Sequence, residues 1–254
     1  MKNLPLEEKG KIGFLIAGTQ KGGTTALSAY LKTHPEICMA QRKEVHFFDN
    51  ETYFRTREVD YSNYHSFFNP KPCHLLLGEA TPIYMYWRDA PKRIWVYNPN
   101  IKIIILLRNP GERAFSHWNM ERRRNADSYT FWDAIQRTQG RCREALPYQH
   151  RVYSYIDRGF YAEQLRNIWR YFKKERVLVL KTDELQQQPN RTLRRVCSFL
   201  EVGNIQNFKP GNIHSTTYVS FMTKREKEYL KGVFEYDIKE LECMLGWDCS
   251  EWLD

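Results

Sequence analysis

No run in these 254 residues is long and apolar enough to cross a bilayer. The opening Met-Lys-Asn-Leu-Pro-Leu-Glu-Glu-Lys also lacks the apolar core of a signal peptide. Cys38, Cys73, Cys142, Cys197, Cys243 and Cys249 show neither Cys-x-x-Cys nor Cys/His zinc spacing, which argues against a structural zinc and leaves free thiols in a reducing compartment. A soluble, cytoplasmic chain without a membrane anchor is the expectation. Repeats, low-complexity tracts and linker-like stretches are missing too, so a single domain over residues 1–254 is expected. Acidic residues are outnumbered, 30 against 39 Lys and Arg, and the net charge of +9 favours polyanionic ligands. That charge, taken alone, also admits a nucleic-acid-binding protein. What the chain has in quantity is hydrophobic (42%) and aromatic (15%) residues, which exclude a disordered polymer.

One further absence is local. Ile16-Ala17-Gly18-Thr19-Gln20-Lys21-Gly22-Gly23-Thr24-Thr25 follows an apolar strand-like run, Ile12 to Ala17, and leads into a helix-like run, Thr24 to Lys32. Glycines at 18, 22 and 23 ahead of a helix N-terminus make an anion cradle, because unpaired amides and the helix dipole converge there. The nucleotide-hydrolase loop Gly-x-x-x-x-Gly-Lys-[Ser/Thr] would need a lysine after Gly23. Thr24 stands there instead, and the lysine is inside the loop at Lys21. A nucleotide kinase or hydrolase is disfavoured on that ground. An ordinary glycine-rich turn is the bland alternative.

Strand and helix signals alternate along the rest of the chain. Strands are expected at Leu75 to Gly78, Ile101 to Leu107 and Val177 to Leu180. Helices are expected at Asp89 to Tyr97, from Pro110 towards Arg124, along the Tyr161–Leu165–Ile168 stripe, and over Pro189 to Leu200. A last helix capped by Thr223 and Glu226 should reach Leu245. Alternation of this kind implies an α/β fold with a parallel sheet. Asn109 to Arg158 is the least regular part, with arginines interleaved among Tyr129, Trp132 and His150. Those aromatics either hold an acceptor or pack the loop. The clusters Arg122-Arg123-Arg124, Lys173 to Arg176 and Arg191 to Arg195 are expected on solvated helix faces.

The loop Gln20 to Leu27, followed by Lys43-Glu44-Val45-His46-Phe47-Phe48, resembles sulfotransferases that use 3′-phosphoadenosine 5′-phosphosulfate (PAPS), most of all their heparan-sulfate-type branch. Leu107 to Trp118, Leu-Arg-Asn-Pro-Gly-Glu-Arg-Ala-Phe-Ser-His-Trp, is similar to the family's 3′-phosphate segment, and Phe234 to Trp252 is a weaker third match. The resemblance implies a single α/β domain with a central parallel sheet flanked by helices and a P-loop-like phosphosulfate loop. It implies PAPS as sulfate donor, with no metal and no nucleic acid as partner.

By position, Gln20, Lys21, Gly22, Gly23, Thr24 and Thr25 would bind the 5′-phosphosulfate, and Arg108 with Ser116 the 3′-phosphate. Lys21 would stabilise the leaving oxygen, and Glu44 would be the base that deprotonates the acceptor. Beside Phe47 and Phe48, the Glu44 carboxylate is expected to become more basic; its bland alternative is a surface glutamate paired with Lys43. His46 is the rival base, or a group behind it, and Glu79 is a third acid or base, or a loop cap. Arg113 would face the same anion or an acidic neighbour. Lys209 and Ser215 are the candidates for closing over the cofactor. Ala80 stands where many heparan-type relatives have an active-site lysine. That favours a hydroxyl- or amine-bearing small metabolite as acceptor, with a carbohydrate, including a heparan-type glycan, second.

Overall fold

The computed structural model describes residues 10–56, 58–205 and 218–254, so Lys209 and Ser215 lie outside the described residues. The chain divides into two compact units. One comprises Met1–Thr19, Gly23–Leu107 and Ile168–His214, the other Gln20–Gly22, Arg108–Asn167 and Ser215–Asp254.

The first unit is an α/β layer structure built on five parallel strands in the order β2-β3-β1-β4-β5. These are β1 (Phe14–Gly18), β2 (Ile37–Met39), β3 (Leu76–Ala80), β4 (Lys102–Leu107) and β5 (Val177–Lys181). β4, Lys-Ile-Ile-Ile-Leu-Leu, is buried from Ile103 to Leu107, as a β-branched central strand covered on both faces requires. Its helices are α1 (Thr24–Lys32), α2 (Ser62–His65), α3 (Ala90–Tyr97), α8 (Thr182–Gln187) and α9 (Pro189–Leu200). Leu27 and Leu31 of α1 and Leu193, Val196 and Leu200 of α9 pack with Phe14, Ile16, Ile104, Leu106 and Leu180 into one core. Each such side chain contributes about 1.5–3 kcal/mol by leaving water. β1 and β3 approach closely only because residue 78 is glycine: a Cβ there would meet the Phe14 ring at 2.1 Å. Beside this core is an aromatic cluster in which Phe47 and Phe48 contact Tyr64, with ring centroids 4.8 and 5.1 Å apart.

The second unit is helical. Its α-helices among the described residues are α4 (Pro110–Arg123), α5 (Phe131–Gln136), α6 (Thr138–Arg143), α7 (Tyr161–Trp169, whose last two residues count with the first unit) and α10 (Lys224–Leu245). Asn109 caps α4, accepting from the amides of Gly111 and Glu112, and Pro110 fills the first turn where a missing N–H costs nothing. Thr223 and Glu226 close both bonds of a capping box on α10, and Gly246, with φ 65°, ends it. The irregular stretch from 125 to 158 is fastened on Asp127, which accepts from Arg141, from the Tyr155 hydroxyl and from the Tyr129 amide. Arg141 lies 3.2 Å over the Tyr153 ring, and Arg225 3.8 Å over Trp132. Arg141 also lies 5.0 Å from the Tyr129 ring, so arginines meet both Tyr129 and Trp132, while Tyr129 keeps an exposed face.

Candidate functional site

Gly23, at φ 88°, is the N-cap of α1 and turns the chain in the left-handed region that glycine tolerates. Among the described residues no side chain caps this helix, and no acidic residue occupies its first turn. The first amides of a helix, here those opening at Thr24 and Thr25, have no partner within the helix; Thr24 is buried and Thr25 exposed.

In the second unit, Lys21 sits in a gathering of like charge. Burial, then the charges of Arg123, Arg108 and Arg124, lower its proton affinity, and Glu121 opposes them. Arg123 and Arg124 are solvent-exposed as expected, yet their field reaches the loop lysine. Lys21 also has φ 69°, costly for a side chain with a Cβ. Its neighbour Gln20 is pinned: Arg158, 2% exposed, donates to Gln20 Oε1 at 2.5 Å, to Ser154 Oγ at 2.8 Å and to the Arg151 carbonyl at 2.8 Å. Gly22 between them and Gly23 is buried. Arg108 follows β4 and is paired through Nη2 with Glu112 at 2.8 Å. Ser116, 5% exposed, lies two turns along α4. Arg113 is fully buried and donates to the backbone carbonyl of Tyr155.

In the first unit, Glu44 Oε2 stands 3.3 Å from His46 Nε2, while His46 Nδ1 stands 2.9 Å from Asp49 Oδ2. Glu44 Oε1 also takes Lys43 Nζ at 3.3 Å. Burial pushes the Glu44 carboxyl up, as its apolar surroundings suggested. Hydrogen bonds and charge from His46 and Lys43 outweigh burial, so the net displacement is downward, correcting the expected gain in basicity. His46 moves the other way. Bonding to Asp49 and then Glu44 raises it to about 9, so it is a cation at neutral pH and not a free base.

Glu79 is fully buried and accepts from Thr81 Oγ1 at 2.7 Å and from the Tyr84 and Tyr64 hydroxyls at 2.9 Å each. Burial raises it to about 7 in spite of those bonds. With no exposed surface it is not placed to meet an acceptor, which removes it as a direct acid or base. Ala80 is 3% exposed and belongs to the hydrophobic core.

Asp49, Arg158, Thr81 and Tyr84 were not singled out from the sequence. Asp49 had a signal, a carboxylate three residues after a histidine. Arg158 had none, because its partner Gln20 is 138 residues away.

The main charges acting on Lys21 are those of Arg123, Arg108 and Arg124, opposed by Glu121, and α1 opens without a side-chain cap. Those features fit an anionic ligand such as PAPS, and among the described residues no cluster of His, Cys, Asp and Glu could hold a metal. The parallel sheet and the glycine-turned start of α1 define a P-loop-like α/β protein. Residues 11–233 match the sulfotransferase domain, and the chain belongs to that family of PAPS-dependent enzymes, near its heparan-sulfate branch. Human heparan sulfate glucosamine 3-O-sulfotransferase 6 is 31% identical over 192 residues, 73% of this chain and 51% of the relative. Mouse bifunctional heparan sulfate N-deacetylase/N-sulfotransferase 3 is 31% identical over 207 residues, 77% of this chain and 23% of the relative. The chain thus spans about half or less of the curated relatives it matches. A crystal structure of a sulfotransferase from Alicyclobacillus acidocaldarius superposes with a TM-score of 0.82 at 27% identity, covering 96% of this chain and 99% of that one. A mouse sulfotransferase complexed with PAP shares the fold alone, with a TM-score of 0.55 at 12% identity over 91% of this chain and 84% of its own.

Proposed function

We propose that this chain transfers the sulfuryl group of PAPS to a hydroxyl or amine of a carbohydrate or small metabolite. The single observation that carries the proposal is the start of α1, turned at Gly23 with φ 88° and without a side-chain cap directly after the loop lysine Lys21, where a helix N-terminus suits an anion. PAPS supplies an activated sulfate whose leaving group is an adenosine bisphosphate. Lys21 and the amides at Thr24 and Thr25 bind and orient its 5′ end, and Arg108 with Ser116 its 3′-phosphate. Lys21 places a cation where negative charge grows during transfer. Glu44, ionised at neutral pH by its depressed proton affinity, accepts the proton of the acceptor. His46, protonated, holds Glu44 and Asp49 in place instead of competing for that proton.

The relatives' names support a heparan-sulfate-type sugar as acceptor, and one of them names glucosamine. Ala80, which brings no functional group, supports the small-metabolite alternative. All six cysteines are free, which supports a cytoplasmic location; a tagged protein confined to the secretory pathway would overturn that part. Incubation with labelled PAPS and paired panels of glucosamine oligosaccharides and small metabolites should give labelled product. A protein that does not bind adenosine 3′,5′-bisphosphate is not this enzyme.

A further inference from the structure

Two of the three hydroxyls that Glu79 gathers do not stop at Glu79. Thr81 Oγ1 also accepts the Val45 amide at 3.0 Å. The Tyr84 oxygen accepts the Phe47 amide at 3.0 Å and the Phe48 amide at 3.4 Å. Val45, Phe47 and Phe48 follow Glu44 and bracket His46, whose backbone sits at φ 58°. A non-glycine residue stays in that region only where its surroundings hold it. We propose that Glu79 is a positioning residue that holds the 44–48 segment, and with it the Glu44–His46–Asp49 chain, through the hydroxyls of Thr81 and Tyr84. Its catalytic consequence rests on the sulfotransferase function proposed above; its geometry does not.

The direction of each bond matters. A hydroxyl has one hydrogen, and both relays give theirs to Glu79, so their oxygens present lone pairs to the amides. A protonated Glu79 would donate a hydrogen of its own, and the hydroxyl receiving it would have to find another acceptor in a buried site. The groups around this carboxyl are Tyr64 on α2, Thr81 and Tyr84 after β3, Asp49 in the loop and Tyr97 on α3. With the carboxyl at about 7, the relay is complete on the alkaline side of neutrality.

Tyr84→Phe and Thr81→Val each cut one relay while nearly keeping volume. In either, NMR titration of the His46 imidazole should show its midpoint falling from about 9 by roughly one pH unit, a tenfold loss of proton affinity. Turnover should fall about tenfold or more, since misplacement by ~1 Å costs up to a hundredfold, while affinity for adenosine 3′,5′-bisphosphate changes less than about twofold. Combined with Glu44→Gln, neither substitution should cost further turnover. An unchanged His46 titration in both variants overturns the proposal, as does an equal loss in the Glu44→Gln background. If the unmodified protein transfers no sulfate while the relay variants still shift His46, the enzymatic function fails and the positioning role stands.

Discussion

Glu44 and His46 are two residues apart, and shared hydrogen bonds drive their proton affinities in opposite directions. That separation assigns the roles: the group kept ionised accepts, and the group kept protonated holds. Glu44→Gln should lower turnover by roughly 10²–10⁴-fold with cofactor affinity nearly unchanged, measured by steady-state kinetics beside calorimetry. Near-normal turnover would take the base role from Glu44. The pH dependence follows from two other groups. His46 is raised above its ordinary 6.5, so its cationic hold on Glu44 and Asp49 persists through neutrality and is lost as pH climbs past about 9. Glu79 must be ionised to keep its relays, and that is complete only above about 7. Turnover should therefore rise through about 7 and fall beyond about 9, and His46→Gln should abolish the alkaline fall. Arg108 acts differently. Loss of a charged hydrogen bond costs about 1.5–3 kcal/mol, so Arg108→Ala should weaken adenosine 3′,5′-bisphosphate about ten- to a hundredfold. The analogue lacking the 3′-phosphate should be affected little. Equal loss for both nucleotides would make Arg108 structural, a support for Glu112 alone.

Single elements carry these residues, and α4 is where an element can be tested. Asn109 accepts two of its first amides, and Ser116 lies on the same helix. Asn109→Ala should cost about 0.5–2 kcal/mol, seen as a lower urea midpoint with an unchanged slope. A neutral result would mean that packing, and not the cap, fixes the helix start. The helix start is legible in the sequence through Pro110, which suits a first turn, whereas the cap by Asn109 is a finding of the structure. α1, α9 and β4 are legible too, and the Thr-x-x-Glu spacing of Thr223 and Glu226 announces their capping box. β2, with three residues, and α2, with four, passed unnoticed since neither completes enough periods to stand out. The site divides along the same line. Lys21, Glu44 and Arg108 lie in contiguous motifs and were visible. The Tyr64 bond to Glu79 and the Arg158 bond to Gln20 join residues 15 and 138 apart, and no local pattern announces them. The sign of the Glu44 displacement was missed for a related reason. Phe47 and Phe48 predicted burial, while the bond from His46 depended on a left-handed turn that the sequence does not declare.

At the scale of the whole molecule, the excess of +9 has to be apportioned between general solubility and a specific anion site. Many of its cations are already paired or solvated: Arg93 with Glu51, Arg141 with Asp127, Lys102 with Glu201, and Arg191 and Arg194 on the exposed face of α9. Arg108 and Arg124 are paired too, with Glu112 and Glu121, yet with Arg123 they still lower the proton affinity of the buried Lys21. A ligand that relieves a local repulsion binds with a modest, fixed salt dependence. A nucleic acid recruiting the whole basic surface releases many counterions and weakens steeply with salt, by about 10³–10⁵ between 50 and 200 mM for six to ten phosphates. Parallel calorimetric titrations with adenosine 3′,5′-bisphosphate, ATP and a single-stranded oligonucleotide at those two salt concentrations separate the cases. The bisphosphate should bind tightest, lose far less than the oligonucleotide's range between the two salts, and lose most of its affinity in Lys21→Ala. ATP, without a 3′-phosphate for Arg108, should bind more weakly. An oligonucleotide that outcompetes the bisphosphate at 200 mM salt would mean that the charge serves a nucleic acid.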